Sequence, residues 1–236
     1  TEVTPHHMLL SRSDLPDLGT HGRMNPPLRR EKRRQRVYER VADGTVDVVA
    51  TDHAPHTAAE KDASIWEAPS GVPGVETALP LLLAEVESGA LTFERVRDLT
   101  ARNPARIFGL SAKGAIEAGM DADLVLVDPT ETREIRAADL HTKCDWTPFE
   151  GWTGVFPEWT TVRGEVVYDR TGDLIGEAQQ DGVGGPDGER QQDEEGFVED
   201  PGGRNVRIPR SAGPSNEAGA ADAEGSDAAA TQAAAG

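Results

Sequence analysis

Apolar residues in the first hundred positions recur at two spacings. From Glu31 to Ala42 charged residues surround Val37 and Val41, which predicts a charged helix with those valines on its inner face. Val46-Asp47-Val48-Val49-Ala50 is short and Val-rich and predicts a buried strand. Val75 to Glu87 predicts an apolar helix. Thr92 to Ala101 predicts another, with Thr92 as its N-cap and Glu94 in its first turn. Asn103 to Leu110 continues as a short helix around Pro104. From Gly114 the pattern changes to β. Gly114-Ala115-Ile116 and Ala122 to Asp128 read as strands joined by a Gly-Met-Asp turn, and Thr160 to Tyr168 as a hairpin around Gly164. Strand and helix alternate first, then, and a smaller β part follows, with no internal repeat.

Composition adds a third region. From Asp181 to Gly236 there are 12 acidic and 4 basic residues and one aromatic, Phe197. Such a segment buries too little apolar surface to offset its ordering entropy, so an acidic disordered tail is expected over 179–236. The whole chain of 236 residues carries a formal charge of -18, a field that repels nucleic acid phosphates and anionic lipid. Only four basic residues are Lys: Lys32, Lys61, Lys113 and Lys143. High acid and scarce Lys suit a salt-rich cytoplasm, where salt screens carboxylate repulsion. One cysteine, Cys144, rules out an intrachain disulfide. No stretch approaches the ~20 apolar residues of a membrane span, and there is no secretory signal pattern. The expectation is a soluble cytoplasmic protein.

The chemistry concentrates where the Val46–Ala50 strand ends, in Thr51-Asp52-His53-Ala54-Pro55-His56. In β/α barrels catalytic groups sit at the C-terminal ends of strands. Asp and His are also the residue types that hold a metal and move protons. This segment resembles the signature of the cyclic amidohydrolases, dihydroorotases in particular. Hydantoinase and allantoinase relatives usually lack the second His. Six more segments resemble the same family in the same order: Glu2 to His7, Met24 to Arg29, Ala68 to Thr77, Asn103 to Leu110, Gly119 to Leu126, and Trp146 to Gly151. The resemblance implies an α/β fold: the C-terminal portion of a metal-dependent (β/α)8 TIM barrel over 1–112, a small β domain over 113–178, then the tail.

By position in these motifs, the resemblance implies that Asp52 is the catalytic acid–base and a metal ligand. His56 would bind the substrate carboxylate, and Asn25 would contact substrate. Ser70 and Gly71 would meet the substrate ring through their backbone. The family often has Phe at the first of these two, so Ser70 loosens that wall. His6 and His7 are adjacent, and on an extended chain they would point to opposite faces, so they are expected to support loops rather than chelate one ion. His21 and His141 are expected as lone surface histidines. Arg29 is expected to be structural, Lys61 a solvated side chain, and Cys144 a small buried residue.

The resemblance also implies two zinc ions, a small-molecule substrate (dihydroorotate or N-carbamoyl-aspartate) and reversible ring closure in pyrimidine synthesis. The family's first strand carries Asp-x-His-x-His, and no His-x-His occurs here. A β/α barrel takes ~250 residues. The expectation is therefore a fragment whose remaining ligands lie upstream of Thr1, inactive alone. A split enzyme is one alternative. Others are an allantoinase or hydantoinase, and a non-catalytic subunit scaffolding another pyrimidine enzyme such as aspartate carbamoyltransferase. A homo-oligomer is compatible with any of these.

Overall fold

The computed structural model describes residues 1–170. The tail expected over 179–236 and the last residues of the β region lie outside the described residues. β1 (Glu2–Val3) leads into α1 (Pro5–Leu9), α2 (Leu15–Leu18) and α3 (Glu31–Ala42), and the chain returns as β2 (Val48–Val49). β1 and β2 are parallel, with Glu2 opposite Val48 and Val3 opposite Val49. Parallel neighbours need a long crossover, and the three helices supply it. A parallel bridge between His53 and Val72 brings a third segment alongside in the same sense.

Each helix has a local cause. Thr4 caps α1 by accepting from the His7 backbone N–H at 3.2 Å, and Pro5 stands in its first turn. His6 and His7 therefore lie on a helix, not on the extended chain expected of them. In α3, Val41 is buried and Val37 half-buried, while Arg34 pairs with Glu31 at 2.6 Å on the same face. α4 (Ala58–Lys61) and α5 (Val75–Glu87) follow, and Leu81, Leu82 and Leu83 of α5 are all buried. Thr92 caps α6 (Phe93–Arg97) through the Arg95 N–H. A π turn over 98–102 joins α6 to α7 (Asn103–Phe108), which ends at the left-handed Gly109. Arg95 donates to the Val41 and Val46 carbonyls, and Asn103 donates to that of Asp47 at 2.8 Å. These contacts pin the segment that enters β2.

The β region is an antiparallel meander of β3 (Leu124–Glu134), β4 (Thr153–Val162) and β5 (Glu165–Asp169). Leu124 faces Thr161, and Val162 faces Glu165 across the expected hairpin. Arg163 and Gly164 both have positive φ, 51° and 85°, as a two-residue turn between twisted strands requires. The strand expected over Gly114-Ala115-Ile116 does not form. Gly114 turns left-handed there (φ 88°), and a Cβ on it would come within 2.8 Å of the Ala105 side chain. That segment is a turn pressed on α7.

One hydrophobic cluster runs through both regions. It takes Met8, Val41, Val49, Val72, Leu82 and Leu99 from the β/α part and Ile135, Phe149 and Val155 from the β part. β4 lies close on α5: a Cβ on Gly154 would stand 3.0 Å from Pro80. Among the described residues no helix is long and apolar enough to cross a membrane.

Candidate functional site

β2 delivers the chain to Asp52, which turns left-handed (φ 47°), a conformation uncommon for a residue with a side chain but most accessible to Asn and Asp. Asp52 is exposed. Among the described residues its carboxylate has no hydrogen-bond or ion-pair partner, so water, a cation or a proton can reach it.

His53 has a different task. Its Nδ1 accepts from the backbone N–H groups of Gly74 at 3.0 Å and Val75 at 3.2 Å. The N-cap of α5 is Gly74, which has no side chain to offer. His53 supplies the missing acceptor, so its Nδ1 is unprotonated and committed.

The glycine-rich loop closes directly onto this segment. The Ala54 N–H donates to the Val72 carbonyl at 3.0 Å. Gly71 has φ 124°, and a Cβ there would lie 2.5 Å from the Ala54 Cβ and 3.9 Å from the His56 ring. Only glycine permits that approach, and it sets the loop against the His56 imidazole. His56 is held from behind, where its carbonyl accepts from the Trp146 indole N–H at 2.7 Å.

Asn25 is exposed on the loop after Met24, and a cis peptide joins it to Pro26. His7 supports this loop. The Pro26 carbonyl can only accept, so the 2.8 Å contact requires a proton on His7 Nε2, and His7 Nδ1 then accepts from the Thr4 hydroxyl at 2.7 Å. The loop is also tied to the glycine-rich one. The Gly71 N–H donates to the Arg23 carbonyl at 3.0 Å, and the Arg23 guanidinium donates to the Ala68 carbonyl. Asn25, Ser70 and Gly71 thus stand on two cross-linked loops, and His56 lies against Gly71. Asp52 stands four residues earlier on the His56 segment.

Lys61 departs most from expectation. It is fully buried, not solvated. Its Nζ donates to the carbonyls of Arg23, Pro69 and Gly71 at 3.0, 2.9 and 3.0 Å. Local sequence held half of the signal: Thr57 and Glu60 form a capping box that starts a one-turn helix ending at Lys61. The three acceptors lie on distant loops, and nothing local announces them. His141 is not lone either, since its Nδ1 meets Glu76 at 2.7 Å. His21 packs edge-on against Trp146 with ring centroids 4.7 Å apart. Cys144 is buried, as expected, and the Arg29 side chain is exposed.

Among the described residues no three His, Cys, Asp or Glu side chains gather as a metal site. Asp52 fits as one oxygen ligand of a hard or borderline cation and no more. A cavity of about 770 Å³ lies elsewhere, between the first turns of α5 and the meander, lined by Val75, Leu79, Phe156 and Tyr168 among others.

Residues 2–167 match the Amidohydrolase family. A dihydroorotase from Halobacterium salinarum is 67% identical over 174 residues, covering 74% of this chain and 41% of that protein. One from Methanosarcina acetivorans is 52% identical, covering 71% of this chain and 36% of that protein. The L-hydantoinase (dihydropyrimidinase) structure from Arthrobacter aurescens aligns with TM-score 0.69 at 30% identity, over 71% of this chain and 39% of that one. The chain thus spans about two fifths of the length of the curated relatives it matches. The fold is α/β, of the TIM-barrel family.

Proposed function

We propose that this chain, which belongs to the amidohydrolase family, carries the proton-transfer and carboxylate-binding side of a dihydroorotase. That cyclic amide hydrolase opens L-dihydroorotate to N-carbamoyl-L-aspartate, and closes it again, in pyrimidine synthesis. The observation that carries this reading is the Asp52–His56 segment. It presents a solvated carboxylate at the end of a parallel strand, and four residues on an imidazole against a loop that only glycine can form.

In the hydrolytic direction a water oxygen bonds to the ring carbonyl carbon, the carbon–nitrogen bond breaks, and the nitrogen leaves with a proton. Asp52 takes the proton from the attacking water and passes it to that nitrogen, which its exposure, without a partner among the described residues, allows. His56 and Asn25 orient the substrate carboxylate, and Ser70 and Gly71 meet the ring through their backbone. Zinc, when bound, would acidify the water and polarise the carbonyl, with Asp52 as one ligand. The remaining ligands of a zinc pair would come from residues other than those described.

A division at residues 112 and 178 into barrel part, β domain and acidic tail belongs to the same proposal, as does homo-oligomerisation. The charge of -18 with only four Lys supports a salt-rich cytoplasm.

The hydantoinase names among the solved structures favour a second reading, a hydrolase of cyclic ureides without a carboxylate. The test compares dihydroorotate with dihydrouracil, the same ring lacking the carboxylate, in the complete zinc-loaded enzyme built around this chain. The expected kcat/KM ratio favours dihydroorotate by about 100-fold or more, and His56→Ala removes most of that preference. Equal or faster turnover of dihydrouracil by the unaltered enzyme supports the second reading instead.

A further inference from the structure

Lys61 sits behind the candidate site and makes an unusual set of contacts. An ammonium group has three N–H donors and no acceptor. All three meet backbone carbonyls, of Arg23, Pro69 and Gly71, at 2.9–3.0 Å. These carbonyls belong to the two loops that hold Asn25 on one side and Ser70 and Gly71 on the other. Among the described residues no carboxylate accepts from the ammonium. The face of Trp146 also lies near it, 5.6 Å from Nζ to the ring centroid. The same indole donates to the His56 carbonyl. Gly71 is therefore held directly by this one buried cation, Ser70 lies between two of its acceptors, His56 is reached through Trp146, and Asn25 lies two residues from the Arg23 acceptor.

Burial of an ammonium without an acid partner is expensive. Joining two loops does not demand it, because the Gly71 N–H to Arg23 carbonyl bond already joins them with neutral groups. The charge itself therefore needs a reason. Burial lowers the Lys61 pKa to about 8, the nearby Arg23 charge adding to the shift, so the group is still mainly an ammonium at neutral pH. A fixed positive charge in a water-poor setting, one hydrogen bond from the loop backbone, attracts a small anion more strongly than a solvated lysine does. It also holds the two loops at one spacing, because three convergent donors cannot be met if either loop shifts.

We propose that Lys61 is a positioning residue for an anionic substrate: its buried ammonium clamps the Asn25 loop to the Ser70–Gly71 loop and adds positive charge that no carboxylate among the described residues offsets. The proposal rests on the reading of Asn25, Ser70, Gly71 and His56 as contacts of a carboxylate-bearing ring. It does not place Lys61 in contact with the substrate. A filler of the core would affect stability alone. A positioning cation acts on substrate affinity in the folded enzyme and on order in both loops.

The test uses Lys61→Met in the complete enzyme, with steady-state kinetics on dihydroorotate and hydrogen exchange of the full chain. The expected result is a KM raised about tenfold or more with kcat changed less than about threefold, since more than one charge-assisted bond is lost. The Gly71 amide and the 23–25 and 69–71 segments should also exchange faster than in the unaltered chain. Should Lys61→Met not fold, Lys61→Gln keeps two of the three donors and is read in the same way, with a KM rise of about three- to fivefold. A folded variant with KM within about twofold of the parent overturns the substrate role. Unchanged exchange in both loops overturns the clamp, whatever the activity. If the unaltered enzyme does not turn over dihydroorotate at all, the dihydroorotase reading fails separately, and exchange alone decides the clamp.

Discussion

His6 is almost completely buried in α1, with its ring centroid 4.4 Å from that of His7. Burial lowers its pKa from 6.5 to about 4, and the neighbouring His7 adds to the shift. The folded protein therefore binds a proton there less readily than the unfolded chain. As pH falls from about 6.5 to about 4 the unfolded chain takes up that proton first, and stability drops, by of order 3 kcal/mol once both states are protonated. His6→Gln removes this titration, so its urea midpoint should fall less steeply over that window than the parent's. Identical slopes would show that His6 is not the group responsible. Asp52 and Lys61 are the other telling residues. The Asp52 role came from a motif at the end of a strand. The burial of Lys61 was invisible because its three carbonyl partners lie 8, 10 and 38 residues away.

Among elements, those set by local rules were legible and those set by distant partners were not. α3 and α5 run over the predicted residues because an inward apolar face and polar flanks decide a helix locally. The hairpin around Gly164 was legible because its turn needs positive φ. Gly114-Ala115-Ile116 misled because a strand exists only by pairing, and here the chain turns against α7. His6 and His7 misled because an adjacent pair was read as extended, although Thr4 and Pro5 are a helix start signal. The start of α5 carries a prediction of its own. With Gly74 as N-cap, the first turn depends on His53 Nδ1 as acceptor. His53→Ala should therefore cost about 1 kcal/mol of stability, measured by denaturant unfolding, and loosen the Gly74 and Val75 amides in hydrogen exchange. No change in either amide would contradict the capping role.

At the scale of the molecule, one core joins the β/α part to the meander through α5, so strain in one reaches the other. The candidate site draws on β2, the loop before α3, the one-turn α4 and the loop before α5. It presents the groups proposed to meet substrate and one proposed metal ligand. In the proposed function Asp52 moves the proton in a ring-opening reaction. The most direct measurement is kcat for dihydroorotate, together with bound zinc, in the Asp52→Asn variant of the complete enzyme. The expected result is a fall in kcat of about a thousandfold with most of the zinc retained, in line with losing general acid–base catalysis. A variant that keeps the parent's kcat would show that Asp52 does not move the proton.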